Sequence, residues 1–150
     1  LFLFSADRER RTFATVDLQT KSYLYQTGAD VKCPHVGSDC RMLYADGHLH
    51  IIGGSASKKH YVSADLEHWS VQHTFSGIWH LAGAGVAYLA SKKCMLAIGG
   101  KTAIQNREDF GVHEYSFLHR QWRKIPDLEF PQWGVMVAVA KDERHVILRC

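Results

Sequence analysis

Cys33-Pro34-His35 followed by Cys40 places three candidate zinc ligands within eight residues. A structural zinc site needs a fourth at usable spacing, and the surrounding sequence supplies none. His48 and His50 stand two apart, so a strand would project both from one face, where they read as packed or solvated rather than metal-bound. Gly99-Gly100-Lys101-Thr102 ends like a phosphate-binding loop, but the first glycine of that motif would fall on Met95 and no helical pattern follows. Gly83-Ala84-Gly85 opens like a dinucleotide fingerprint whose third glycine position is Tyr88. Gly54-Ser55-Ala56-Ser57 lacks the closing glycine of a nucleophile elbow. No H-E-x-x-H run, carboxylate pair or nucleophile–base pair can be argued from spacing, so no catalytic, metal or cofactor-binding residue is expected.

Composition narrows the classes further. The 150 residues are 46% apolar with a net charge of +3, which excludes a wholly disordered chain. That charge, without clustering, argues against nucleic acid as partner. No apolar run approaches the ~18 residues of a membrane span, and Leu1-Phe2-Leu3-Phe4 is too short, and lacks the basic flank, for a signal peptide. The four cysteines form no C-x-x-C pair. Cys94 and Cys150 sit in apolar runs where a thiol serves as a small hydrophobe, and a reducing, cytoplasmic compartment is expected.

Whatever these residues do, a repeat positions them. Gly53-Gly54 follows His48-Leu49-His50-Ile51-Ile52, and Gly99-Gly100 follows Cys94-Met95-Leu96-Ala97-Ile98, 46 residues later. After each diglycine comes a short strand-like piece and a tryptophan: Val62 to Trp69, then Tyr115 to Trp122. Val16 to Tyr23 has the same spacing, and Phe2-Leu3-Phe4 and Val146-Ile147-Leu148 occupy the apolar position of partial units.

Each full unit reads as four strands. The first runs Ser38 to Ala45, turns through Asp46-Gly47 into His48 to Gly53, continues with His60 to Ala64 and starts its fourth near Trp69. The next unit's strands begin near Gly83, Cys94, Gly111 and Gln121. The second strands are apolar at successive positions, as needed when neighbours cover both faces. The first strands, such as Ala82-Gly83-Ala84-Gly85-Val86-Ala87, are built of small residues that suit a crowded inner edge. No window shows helical periodicity with caps, so the chain is all-β.

The sequence resembles a kelch-repeat β-propeller, through Ile52-Gly53-Gly54 with Trp69 and Ile98-Gly99-Gly100 with Tyr115 and Trp122. Ser5-Ala6 and Arg149-Cys150 stand where diglycine belongs, and Val62 stands where the family favours tyrosine. The resemblance implies four-stranded antiparallel blades: the end of one in residues 1–30, full blades in 37–75 and 80–128, and the start of another in 132–150. That is about three blades' worth, fewer than the ~4–8 that close a ring, so the remaining blades are expected partners and the chain alone should self-associate.

In such a blade the 2–3 and 4–1 connections share one rim, where loops on a rigid scaffold carry binding function. Arg8, Arg10, Arg11, Lys58, Lys59 and Arg107 fall in 2–3 loops, and Trp79 and Trp133 end the 4–1 links. These are the candidate protein-binding residues, with inter-blade packing open for the two tryptophans and a solvated surface open for the charged loops. Gly53, Gly54, Trp69, Gly99, Gly100, Tyr115 and Trp122 are expected to be structural. The resemblance implies a non-catalytic interaction module: an adaptor, scaffold or substrate receptor. The family also holds copper radical oxidases and sugar mutarotases. An oxidase would gather two Tyr, two His and a Cys at the axis, which spacing here does not assign.

Overall fold

The computed structural model describes residues 2–6, 11–17, 19–27, 34–55, 57–74, 82–101, 111–129 and 134–149, and every regular element among them is a strand. Strands β1 (Phe2–Ala6), β2 (Arg11–Asp17) and β3 (Ser22–Thr27) form a first antiparallel sheet in chain order. Strands β4 (Arg41–Ala45), β5 (His48–Ile52), β6 (Lys59–Ser63) and β7 (Ser70–Thr74) form a second. Strands β8 (Gly85–Leu89), β9 (Cys94–Ile98), β10 (Val112–Ser116) and β11 (Gln121–Ile125) repeat that meander in a third. A hairpin of β12 (Met136–Val139) and β13 (Val146–Arg149) follows. The expected strand starts of the two full units thus lie within three residues of the observed ones.

The expected turn forms at Asp46-Gly47: both residues are left-handed, with φ of 48° and 79°, which matches the twist of the β4–β5 hairpin. One alignment needs correction. Ser63 pairs with Leu49 as Tyr115 pairs with Met95, so Ser63 rather than Val62 takes the place of Tyr115. The two tryptophans are not equivalent in register: Trp69 lies in the longer third turn of the second sheet, one residue before β7, whereas Trp122 lies inside β11 opposite Tyr115. In that longer turn Asp65 Oδ1 accepts from the backbone amides of Glu67 (2.9 Å) and His68 (2.8 Å). The β6–β7 register also shifts between His60 and Tyr61.

Successive sheets join at their first strands, β4 beside β8 beside β12. The joint is a repeated backbone step. Asp39, Gly83 and Gly134, each two residues before a first strand, all have positive φ (59°, 71° and 68°). Gly83 N–H donates to the Asp39 carbonyl at 2.9 Å, and Gly134 N–H to the Gly83 carbonyl at 3.0 Å. Arg41 Nε reinforces the first joint by donating to the Ala84 carbonyl at 2.6 Å. Space is tight at the start of β8: a Cβ on Gly85 would lie 2.1 Å from Val137 Cγ2, so the small residue there is a packing requirement, whereas β4 carries larger side chains.

The faces of the second strands divide the core. In β9, Met95 and Ala97 pack with Ala45, Ile52 and Tyr115, while Cys94, Leu96 and Ile98 pack against Val137, Val139, Val146 and Leu148. All five β9 residues are buried, as two-sided covering requires. Cys94 behaves as the expected hydrophobe, its thiol pKa raised by burial. Cys40 joins Val36, Leu49 and Ile51 in a third cluster, and burial pushes its thiol up to about 11. On the β12–β13 hairpin the face away from the third sheet is open, with Met136 60% and Ile147 61% exposed. Ile147 pairs with Ala138 as Leu96 pairs with Ala87, so it stands where Leu96 is covered in the preceding unit.

The diglycines differ from Gly47 in what surrounds them. Gly54 has a φ of 103°, and a Cβ there would sit 2.2 Å from the Val36 backbone oxygen, whereas a Cβ on Gly47 would meet nothing within 4 Å. Gly54→Ala is therefore expected to cost more than about 3 kcal/mol and Gly47→Ala about 1 kcal/mol. Urea unfolding midpoints of the two variants check this ordering.

Candidate functional site

The second strands present polar residues at one place where the repeat elsewhere has aliphatic ones. His50 lies 46 residues before Leu96, and His60, paired with Ile52, matches Val112, paired with Ile98. Both histidines are buried, His50 at 3% and His60 at 0% exposure, in the seam between the second and third sheets. A buried polar ring is tolerated only when its nitrogens are bonded. Here they form one line. Trp122 Nε1–H donates to His60 Nδ1 at 3.3 Å. His60 Nε2 and His50 Nδ1 are 2.8 Å apart, and His50 Nε2 is 3.1 Å from the Ala45 carbonyl oxygen.

The ends of the line fix its protons. An indole N–H only donates and a carbonyl only accepts, so His60 carries its proton on Nε2 and so does His50. Both imidazoles are neutral in this arrangement. A proton added at His50 Nδ1 would set two donors face to face. Burial, the dominant influence, accordingly pulls the His50 pKa down to about 4.

Aromatic rings enclose the line. Tyr115 stands edge-on to His60 with centroids 4.7 Å apart, Trp122 is 5.7 Å from His60, and Phe117 is 5.5 Å from His50. Burial also raises the Tyr115 phenol pKa, so this tyrosine is a packed ring rather than an activated one. Above the rings a cleft of about 140 Å³ opens between the two sheets. Asp46 and His48 come from the β4–β5 turn and the start of β5, and Phe117 and Arg120 from the β10–β11 turn. The cleft therefore belongs to the rim of the 1–2 and 3–4 turns.

That rim is tied across sheets. Lys93 Nζ lies 3.1 Å from Asp46 Oδ1, linking the 1–2 turns of the second and third sheets. Ser91 continues the tie, its N–H and Oγ–H donating to Glu143 Oε2 at 2.9 and 2.5 Å, and these bonds hold the Glu143 carboxyl below its usual range.

The residues singled out by sequence fare differently. Trp122 and Tyr115 are opposite one another in β10–β11 and lie in the seam, and Trp69 packs with Leu49 and Ile51, in keeping with their expected structural roles. Gly53, Gly54, Gly99 and Gly100 close their second strands with positive φ, as expected. Lys58 is half-buried before β6 and Lys59 exposed at its start, away from the cleft. Arg11 begins β2. Arg8, Arg10, Trp79, Arg107 and Trp133 lie outside the described residues, as does Cys33. Among the described residues, no three His, Cys, Asp or Glu come together as a metal set. His48 and His50 do share a face, 6.4 Å apart, but His48 is exposed. Sequence reasoning missed His60, although a histidine at the Val112 position of the repeat was a signal.

No protein-family model matches the sequence, and no curated protein matches it. The fold is similar to the solved structure of YjhT, with a TM-score of 0.58 at 19% identity. The likeness covers 69% of this chain and 32% of that one, so the matched part spans about a third of the YjhT chain. At that identity the shared property is the fold alone.

The His50 pKa sets a pH dependence. An unfolded histidine titrates near ~6.5, so between there and about 4 the unfolded chain binds a proton that folded His50 refuses. Stability is expected to be full above that window and to fall by about 3 kcal/mol as pH drops through it. Urea titrations from neutral to acid pH should show this slope in the native sequence and its loss in His50→Leu. Trp122→Phe, which leaves His60 Nδ1 without its donor, is expected to cost about 1–3 kcal/mol at neutral pH.

Proposed function

We propose that this chain is an arc of a kelch-type β-propeller that works as a non-catalytic protein-interaction module, an adaptor, scaffold or substrate receptor. The observation that carries the reading is the repeated sheet-to-sheet step at Asp39, Gly83 and Gly134, with β4, β8 and β12 side by side. Identical steps between four-stranded sheets make a rigid scaffold, and rigid scaffolds bind through the loops at their rims. The likeness in fold to a chain about twice as long agrees with an arc of a larger assembly.

The chemistry of His50, His60, Tyr115, Cys40 and Cys94 favours binding over catalysis. His50 and His60 spend their ring nitrogens on each other, Trp122 and Ala45, and burial raises the pKa of Cys40, Cys94 and Tyr115 away from nucleophilic forms. The free thiols of Cys40 and Cys94 agree with a reducing, cytoplasmic setting. The partner-binding residues are those expected in the 2–3 and 4–1 loops, Arg8, Arg10, Lys58, Trp79, Arg107 and Trp133, with Arg11 and Lys59 at the first positions of β2 and β6.

Two experiments test this. Affinity capture with the chain in its longest natural reading frame should recover a defined protein partner. Arg107→Ala or Trp133→Ala should weaken that capture tenfold or more, while Lys93→Ala on the other rim leaves it intact. Stoichiometric copper in the purified protein, or capture indifferent to both loop substitutions, would overturn the reading. For the arc itself, sedimentation of the 150-residue chain should show self-association through the open β12–β13 face. The double variant Met136→Lys/Ile147→Lys should shift it to monomer, whereas a native monomer that melts cooperatively would contradict the arc.

A further inference from the structure

The cleft between the second and third sheets combines apolar surface on its floor with polar and charged side chains around it. Tyr115, Phe117 and Val62 line the floor, together with the His50 ring. Because both His50 nitrogens are already bonded, that ring offers the cleft hydrocarbon and π surface rather than a donor or acceptor. Gln72 and His48 add polar side chains to the lining, and the carboxylate and guanidinium charges come from the mouth. Asp46 is on one side, its charge answered by Lys93 at 3.1 Å. Arg120 is on the other, exposed on a left-handed turn residue with a φ of 51°. Neighbouring cations are paired, Arg123 with Glu114 at 2.7 Å and Lys124 with Asp127 at 2.9 Å, whereas Arg120 has no ion-pair partner among the described residues. The uncompensated charge at the mouth is therefore positive. Arg120 also lies close enough to Tyr115 for its charge to oppose the upward push of burial on the phenol.

The volume limits the occupant. At about 140 Å³ the cleft holds roughly four or five water molecules' worth of space, far below the ~300 Å³ of a drug-sized site. A group of about five heavy atoms with an anionic end fits both limits. We propose that the cleft is a subsite for a short carboxylate, whose acid group pairs with Arg120 while its methylene stem lies on the Tyr115, Phe117 and Val62 floor. The source is either a free short-chain acid or a glutamate side chain of a bound protein. The site lies on the rim opposite the 2–3 and 4–1 loops, so it adds a second binding surface to the one proposed above and does not depend on it.

Ligand-observed saturation-transfer NMR on the whole chain at low ionic strength, with butyrate and its neutral isostere butyramide, tests the proposal. Butyrate should bind at least about fivefold more tightly than butyramide, because only the acid makes the charge-assisted bond. Arg120→Gln should reduce butyrate to the butyramide level, and Arg123→Gln, three residues on in β11 and already paired with Glu114, should leave it unchanged. Displacement of butyrate by a glutamate-centred peptide at lower concentration than butyrate itself assigns the site to a protein side chain. Displacement only at higher concentration assigns it to a free acid. Equal binding of butyrate and butyramide to the native chain would overturn the proposal, whatever the variants do. So would undiminished butyrate binding in a folded Arg120→Gln.

Discussion

The seam between the second and third sheets depends on one line of hydrogen bonds, from Trp122 through His60 and His50 to the Ala45 carbonyl. The two imidazoles stand where the next unit carries Leu96 and Val112, positions that the neighbouring sheet covers completely. An aliphatic pair needs only shape. An imidazole pair needs a donor at one end, an acceptor at the other and a fixed order of protons between them, since an unmatched buried nitrogen costs about 1–3 kcal/mol. The third sheet supplies the donor, and the second closes the line on its own 1–2 turn. This joint is therefore specified in a way the aliphatic joint between the third sheet and β12–β13 is not, because a shift of either sheet leaves a buried nitrogen unmatched.

The line can form only because the sheets are held at a set distance elsewhere. At the first strands, the left-handed residues Asp39, Gly83 and Gly134 bring backbone to backbone, and Gly85 at the start of β8 permits the approach. On the rim of the 1–2 turns, Lys93 to Asp46 and Ser91 to Glu143 cross from one sheet to the next. Those rim pairs are exposed, and each adds little energy in water. Their effect is geometric, since they bridge the ends of hairpins whose other ends the backbone step already joins. Between these two constraints the side chains of β5, β6 and β10 meet in one arrangement.

Features set within one strand or turn were legible in the sequence. Diglycine spacing, the Asp46-Gly47 turn and the unbroken apolar run of β9 each depend on neighbours a few residues away, and they located the strands. The seam was not legible in the same way, because its partners come from different units: Trp122 lies 62 residues from His60. Parity correctly put His48 and His50 on one face, but could not say that one is exposed and the other buried, which depends on the sheet opposite. The Val62 alignment failed for a related reason. Equal spacing to a tryptophan assumes equal turns, but Trp69 lies in a longer turn before β7 whereas Trp122 lies inside β11, so Ser63 takes the register of Tyr115. The cleft stayed hidden too, because attention fell on the longer loops while its walls come from the two short turns.

The same chemistry that makes the seam specific also determines what its cleft can recognise. Had the floor carried a histidine with a free nitrogen, that nitrogen would compete for any polar ligand and make the site sensitive to neutral hydrogen-bonding groups. With the nitrogens of His50 committed to His60 and Ala45, that ring offers a ligand no hydrogen bond, and the choice between an acid and a neutral group passes to the charges at the mouth. Of those charges Asp46 is tied to Lys93, which leaves the sign of the cleft to Arg120. Protonating His50 would undo this division, because two facing N–H groups repel and the ring would have to swing out of the seam. The wall that shapes the cleft and the joint that holds the sheets would then be lost together. Recognition at this rim is thus tied to the integrity of the seam beneath it.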